Sequence, residues 1–258
     1  MDLGLKGRTA VITGGSKGIG KAVAMALAEE GVDLHLAART AADLDHARRE
    51  IVDRFQVGVT VHALDLSRSE NVARLVEATR DADILVNNAG AIPAGTIDRI
   101  DEAAWREAWD LKVFGFINMC RAMLAHMEAR GAGVIVNVVG VAGDRHDAKY
   151  VAGSTGNAAM IALTRALGGA STDRGVRVVG INPGRIATGR METQLRRRAT
   201  MDFNDPERWR EYLASLPFGR AGRPEEVGWL AAFLASDRAG YISGTMVTID
   251  GGAVTRPQ

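Results

Sequence analysis

The chain of 258 residues has one cysteine, almost no net charge and no long apolar run. A single thiol excludes an internal disulfide, and Cys120 falls in a helical pattern where a buried small hydrophobe is expected. With 32 Lys+Arg against 31 Asp+Glu the net charge is +1, which leaves no electrostatic case for a nucleic-acid or anionic-membrane partner. The most apolar stretches, such as VIVNVVGVAG at 134–143, are too short and too interrupted to span a bilayer. The opening MDLGLKGRTAVITGG runs almost directly into a strand pattern and lacks the apolar region of a signal peptide, so a cytoplasmic location is expected. No metal site is predicted. Linkers, low-complexity blocks and repeats are also missing, so residues 1–258 are read as one domain.

What is present is an ordinary soluble composition, 47% hydrophobic and 24% charged. Short β-branched runs alternate with helical patterns. The runs cover 8–13, 33–37, 59–64, 83–87, 133–139, 176–181 and 245–249. Their nearly continuous apolar character suits strands buried on both faces. Helices are predicted over Gly18–Glu30, Ala42–Phe55, Arg68–Arg80, Glu102–Arg130, Tyr150–Thr172 and Pro224–Ser236. The pattern predicts an α/β fold: a single Rossmann-type doubly wound domain of about seven parallel strands with helices on both faces. Residues 189–217, charged and irregular, break the rhythm and read as a helical substrate lid.

The segment TGGSKGIG at 13–20 follows the first strand and opens the first helix. Gly14 permits the sharp turn, Gly18 lets backbone approach a diphosphate, and Gly20 lets the helix pack closely on the sheet. Ser16, Lys17 and Ile19 lie between them and complete the expected contact set. Helix N–H groups and the positive end of the helix dipole then face the phosphates. The second strand ends in LAART, with Arg39 and Thr40 where an NAD-preferring site usually carries an acidic residue. Arg39 together with Lys17 suits a ribose 2′-phosphate, so NADP is expected as the cofactor in preference to NAD.

With LDLS at 64–67, VNNAG at 86–90, INPGRIAT at 181–188 and YISGTMVTIDGG at 241–252, the chain resembles the short-chain dehydrogenase/reductase family over nearly its whole length. The resemblance implies that Asp65 and Leu66 border the adenine. It likewise implies that Asn88, Ala89 and Gly90 line the ribose, and that Asn87 braces the central strands. Pro183, Gly184, Ile186 and Thr188 would hold the nicotinamide carboxamide. A homotetramer or homodimer acting on a small-molecule substrate is implied as well.

The family's chemistry uses a tyrosine as proton donor, a lysine four residues later that lowers the tyrosine pKa, a serine thirteen residues before the tyrosine, and an asparagine on the preceding long helix. Flanking segments place these positions at Gly153, Asn157, Gly140 and Lys112, so all four depart from the pattern. Tyr150 lies three residues before the tyrosine position, nearly one helical turn away. Its phenol and the Lys112 amine are therefore the candidate catalytic pair, an acid and its electrostatic activator supplied from new backbone positions. His146 in the loop after the fifth strand is a further acid–base candidate, and Asp144, Arg145 and Asp147 are read as a solvated rim. Arg190, Arg196, Arg197 and Arg198 in the lid suit either an anionic substrate or a water-facing helix. Trp105, Trp109, Trp209 and Trp229 are read as core or interface anchors. The sequence thus predicts an NADP-dependent oxidoreductase interconverting a secondary alcohol and a ketone with a displaced acid–base group. A dinucleotide-binding sensor or regulatory subunit without turnover, and a lyase or isomerase on the same scaffold, are the alternatives.

Overall fold

The computed structural model describes residues 2–256; residue 1 and residues 257–258 of the expected 1–258 domain lie outside the described residues. Seven strands form one sheet: β1 (Thr9–Thr13), β2 (Asp33–Ala38), β3 (Val59–Ala63), β4 (Ile84–Asn87), β5 (Gly133–Val138), β6 (Val176–Pro183) and β7 (Met246–Ile249). Their order is β3-β2-β1-β4-β5-β6-β7, and every pairing is parallel. The order reverses between β1 and β4, so a crevice opens at the carboxyl ends of those two strands, where open α/β sheets bind ligands.

The apolar runs work on both faces because side chains alternate along a strand. Ile12, Leu36 and Val86 pack with Val23 and Leu27 of α1 (Gly18–Glu29), Leu44 of α2 (Ala41–Val52) and Val227 and Leu234 of the helix Pro224–Ala235. Val11, Leu85 and Ile135 face the other way, onto Leu75 of α3 (Ser69–Thr79) and onto Met119, Met123 and Met127. Asn87 is fully buried between strands; its amide N–H groups donate to Asn137 Oδ1 of β5 at 3.0 Å and to Cys120 Sγ at 3.3 Å, while its own Oδ1 has no partner among the described residues.

Three predicted boundaries near the crevice are corrected. The long helix 102–130 is not continuous: α4 (Glu102–Trp109) and α5 (Gly115–Arg130) are separated by a π-helical turn, Asp110–Phe114. Such turns shift the side-chain register by one residue, and Lys112 lies within this one and is buried. The sixth strand runs on to Pro183, because Asn182 and Pro183 still pair with Thr248 and Ile249 of β7. The sixth long helix, α6 (Val151–Ala170), begins one residue after Tyr150.

The 189–217 segment is helical, with α7 (Gly189–Phe203) followed by a 3-10 stretch at Pro206–Leu213. Thr188 caps α7 by accepting from Met191 N–H, and Asp205 caps the next stretch through Glu207 N–H. The pair holds a small core of its own, in which Met191, Leu195 and Ala199 pack against buried Trp209. Trp105 and Trp109 meet at 6.1 Å between ring centroids on α4. Trp229, on α8 (Pro224–Ala235), is 51% exposed and is not a core residue. Its ring is covered on one side by the Arg223 guanidinium, 5.5 Å from the centroid.

Candidate active site

The glycine turn has the shape its sequence requires. Gly14 and Gly18 sit at φ +67° and +54°, a left-handed conformation that favours glycine. A Cβ on Gly20 would stand 2.2 Å from Gly14 O, so that residue is the price of close packing between turn and helix. Thr13 Oγ1 accepts the N–H groups of Asn88 and Ala89 at 2.9 and 3.0 Å, and the Asn88 amide donates to Thr13 O at 3.1 Å. The end of β4 is thereby fixed against the turn. Lys17 is the N-cap of α1 and supplies no side-chain acceptor, leaving first-turn N–H groups directed outward for an anion. Ser16 and Ile19 are half-buried on the same turn. Thr188 approaches it too, with Cγ2 3.2 Å from the Cβ position of Gly18. The Pro183–Thr188 stretch is held by Gly184 against Asp250 and by a backbone bridge between Ile186 and Gly222.

Beyond the turn, Arg39, Asp65, Ser67, Ala91, Glu107 and neighbouring residues line a cleft of about 350 Å³. Arg39 and Thr40 are exposed at its edge, and Arg39 forms no ion pair among the described residues. The Lys17 ammonium instead pairs with Asp43 Oδ2 at 2.8 Å, so Arg39 is the cation left for a phosphate at this end. Asp65 is engaged by Ser67, whose N–H and hydroxyl donate at 3.1 and 2.8 Å, and Leu66 turns into the core. A positive-φ turn, unpaired helix N–H groups and an adjacent cleft with a cation at its mouth together fit a dinucleotide.

At the other end of the crevice the four substituted positions have been refilled. A Cβ built on Gly153 would lie 2.0 Å from both Cε1 and Cζ of Tyr150. The Tyr150 ring therefore occupies the space into which a side chain at 153 would project. It packs with Ile92, Ile100, Ala108 and Ala152, and burial raises its pKa above the usual tyrosine value while the Arg190 charge acts in the opposite sense. Gly140 adopts φ +129°, and Asn157, 5% exposed, donates its amide to Gly140 O at 3.4 Å.

Lys112 is 7% exposed. Its stem crosses Gly90, where a Cβ would meet Lys112 Cδ at 2.5 Å, and its Nζ donates to Val138 O at 2.9 Å. The ammonium also stands 4.3 Å from the Phe116 ring centroid. Burial, and next the Arg190 charge, lower its pKa to about 7. No hydrogen bond joins Lys112 to Tyr150 among the described residues, so the two share a neighbourhood rather than a direct contact.

Arg190, read from sequence as suiting either an anionic substrate or a water-facing helix, is exposed and also makes two contacts that the sequence did not signal. From the first turn of α7 it donates to Gly90 O at 2.9 Å and Ile92 O at 3.0 Å, tying α7 to the loop after β4. Arg196 pairs with Glu192 and Glu207, and Arg198 with Asp202 at 3.3 Å, so these two face their own helices. Asn182, fully buried at the end of β6, was not singled out by sequence. It donates to Asp144 Oδ2 at 2.7 Å and accepts from Gly140 N–H at 3.4 Å, placing the Asp144 carboxylate on the crevice. A polar residue ending an apolar strand was the signal available. His146 is exposed in the loop. Cys120 is buried, and its thiol is pushed up to about 12 by that burial.

A family model described as enoyl-(acyl carrier protein) reductase matches residues 14–254. The chain is 35% identical over 250 residues to the galactitol 2-dehydrogenase (L-tagatose-forming) of Cereibacter sphaeroides, covering 96% of this chain and 95% of that one. It is also 35% identical over 263 residues to 3beta-hydroxysteroid dehydrogenase 1 of Eggerthella lenta, covering 98% and 96%. Among solved structures, the L-sorbose reductase of Gluconobacter frateurii complexed with NADPH and L-sorbose superposes with a TM-score of 0.92. That pair is 33% identical, with both chains covered completely.

Proposed function

Because the chain belongs to the short-chain dehydrogenase/reductase family and is an NAD(P)-dependent oxidoreductase, we propose that it interconverts a secondary alcohol and a ketone with NADP, using Tyr150 and Lys112 as its relocated acid–base pair. The observation that carries this reading is the Tyr150 ring lying 2.0 Å from the Cβ position of Gly153, the address of the family tyrosine. A pocket merely emptied of its catalytic side chains would leave that space open. Here a phenol has moved into it.

Bound NADPH would supply the hydride that reduces the carbonyl carbon. The chain's own residues do the rest. The glycine turn and α1 would hold the NADPH diphosphate, Arg39 would face its 2′-phosphate, and the Pro183–Thr188 stretch would border its nicotinamide end. Tyr150 and Lys112 govern the proton at the substrate oxygen. The rim formed by Asp144, Asn157, Asn182 and Arg190 is polar, which suits a hydroxylated substrate better than a long apolar one. The names of the galactitol dehydrogenase and the L-sorbose reductase support a sugar alcohol or ketose. The reading includes α7 and the Pro206–Leu213 stretch as a substrate lid, a cytoplasmic location, and assembly as a homotetramer or homodimer, for which sedimentation would give the stoichiometry.

The test follows loss of NADPH absorbance against a panel of ketoses, oxoacyl thioesters and oxosteroids. Turnover is expected with at least one ketose. Tyr150→Phe and Lys112→Ala should each lower it by about 10²-fold or more, the scale on which a positioned proton-transfer group acts. Wild-type rates in both variants would remove the pair while leaving the reductase class standing.

A further inference from the structure

The two members of the proposed pair differ in what surrounds them. The Lys112 ammonium lies in the crevice between the ends of β4 and β5, over Gly90 and against Val138 O. One of its three N–H bonds is spent on that carbonyl and its other flank meets the Phe116 ring, which accepts no proton. No carboxylate pairs with it among the described residues; Asp110, on the same π-helical turn, is exposed. The charged group acting on it from a packed element is the Arg190 guanidinium of α7, while α5 presents Phe116 and β5 a backbone carbonyl. Tyr150, by contrast, packs its ring into an apolar cluster, and its hydroxyl makes no hydrogen bond among the described residues that would stabilise a phenolate.

We infer that Lys112, and not Tyr150, is the group that gives its proton to the substrate oxygen on reduction and takes it back on oxidation, while Tyr150 orients that oxygen by a hydrogen bond. The assignment rests on the reductase reading above. In the step one N–H bond of the ammonium breaks, an O–H bond forms on the carbonyl oxygen as the hydride from NADPH reaches its carbon, and the neutral amine is recharged by a proton from water. An acid works best when its pKa lies near the working pH. The Lys112 value of about 7 meets that condition, and a tyrosine raised above its ordinary value of 10.0 does not.

The test has two readouts. In the protein without nucleotide, lysines carrying 13C-dimethyl labels are titrated by NMR, with Lys112 identified by the resonance missing from Lys112→Met. Its titration is expected near pH 7. In turnover, kcat/KM for reduction should fall as pH rises through that same value, because the protonated amine is the acid. Lys112→Arg keeps the positive charge but releases no proton near neutrality, so it should lose about 10²-fold or more and lose the inflection. Tyr150→Phe should be slower yet keep the inflection. A Lys112 resonance titrating above pH 9, or an inflection retained by Lys112→Arg and abolished by Tyr150→Phe, would overturn the assignment and leave the reductase reading intact. Failure of every ketone to oxidise NADPH would overturn both.

Discussion

At the scale of the residue, the site is a set of exchanges between glycines and larger neighbours. Gly153 makes room for the Tyr150 ring, Gly90 for the Lys112 stem, and Gly140 lies beside the Asn157 amide. Each exchange predicts that the glycine resists substitution for a reason its own position does not reveal. Gly153→Ala should destabilise the fold by about 1–3 kcal/mol, as overpacking does in a well-filled core. Pairing it with Tyr150→Ala should recover most of that loss, because the clash has one partner. Additive destabilisation in chemical denaturation of the double variant would show that the Tyr150 ring does not occupy this space. For the same reason Gly153→Tyr should not restore the family arrangement while Tyr150 remains.

These exchanges mark the boundary of what the sequence discloses. That Gly140, Gly153 and Asn157 replace the family's chemical groups is legible from flanking motifs alone. That Tyr150 comes near Gly153 follows from their three-residue spacing, but that its ring lies on the Gly153 Cβ position does not, because its direction is set at the N-cap of α6, where the backbone turns through φ −140° and ψ 41°. The grip of Arg190 on Gly90 and Ile92 was equally hidden, since it joins residues about 100 positions apart through backbone carbonyls that carry no sequence signature.

At the scale of the element, the strands were legible because β-branched runs buried on both faces have few other uses. The helix 102–130 was not, since nothing in WDLKVFG distinguishes a π-turn from regular helix. That turn matters, because Lys112 sits within it. A second feature of paired elements is the contact between β2 and β3, where His35 Nδ1 and His62 Nε2 lie 3.0 Å apart with stacked rings. Burial lowers both pKa values from 6.5, with Asp33 opposing the shift at His35 and His35 adding to it at His62. A histidine whose folded pKa is depressed binds fewer protons folded than unfolded below about 6.5. Stability from this pair is therefore present in full above that pH and is lost as pH falls through it toward the folded values. Thermal denaturation should show a decline in Tm between about pH 6.5 and 5 that is smaller in His35→Val/His62→Val. An equal decline in both proteins would place the acid sensitivity elsewhere.

At the scale of the whole molecule, one sheet reversal creates a crevice with two functional ends. In the proposed reading the cleft beside Arg39 takes the nucleotide, and the region around Lys112 and Tyr150 takes the substrate. Their separation along the sheet predicts that changes at one end leave the other largely untouched. Arg39→Asp should weaken NADPH binding relative to NADH by about tenfold or more, the loss of one charge-assisted phosphate contact, without changing the pH dependence of turnover. An unaltered preference in fluorescence titration would take the 2′-phosphate away from Arg39. The overall architecture was the most legible level, since alternating strand and helix patterns and a glycine turn after the first strand constrain the topology jointly.

The most direct measurement is single-turnover oxidation of NADPH by a ketose in the wild-type protein and in the Tyr150→Phe/Lys112→Met variant, with NADPH affinity measured on both. A refilled site predicts comparable NADPH binding and a reduction step slowed by several orders of magnitude in the double variant. A double variant that binds NADPH and reduces the ketose at the wild-type rate would contradict it.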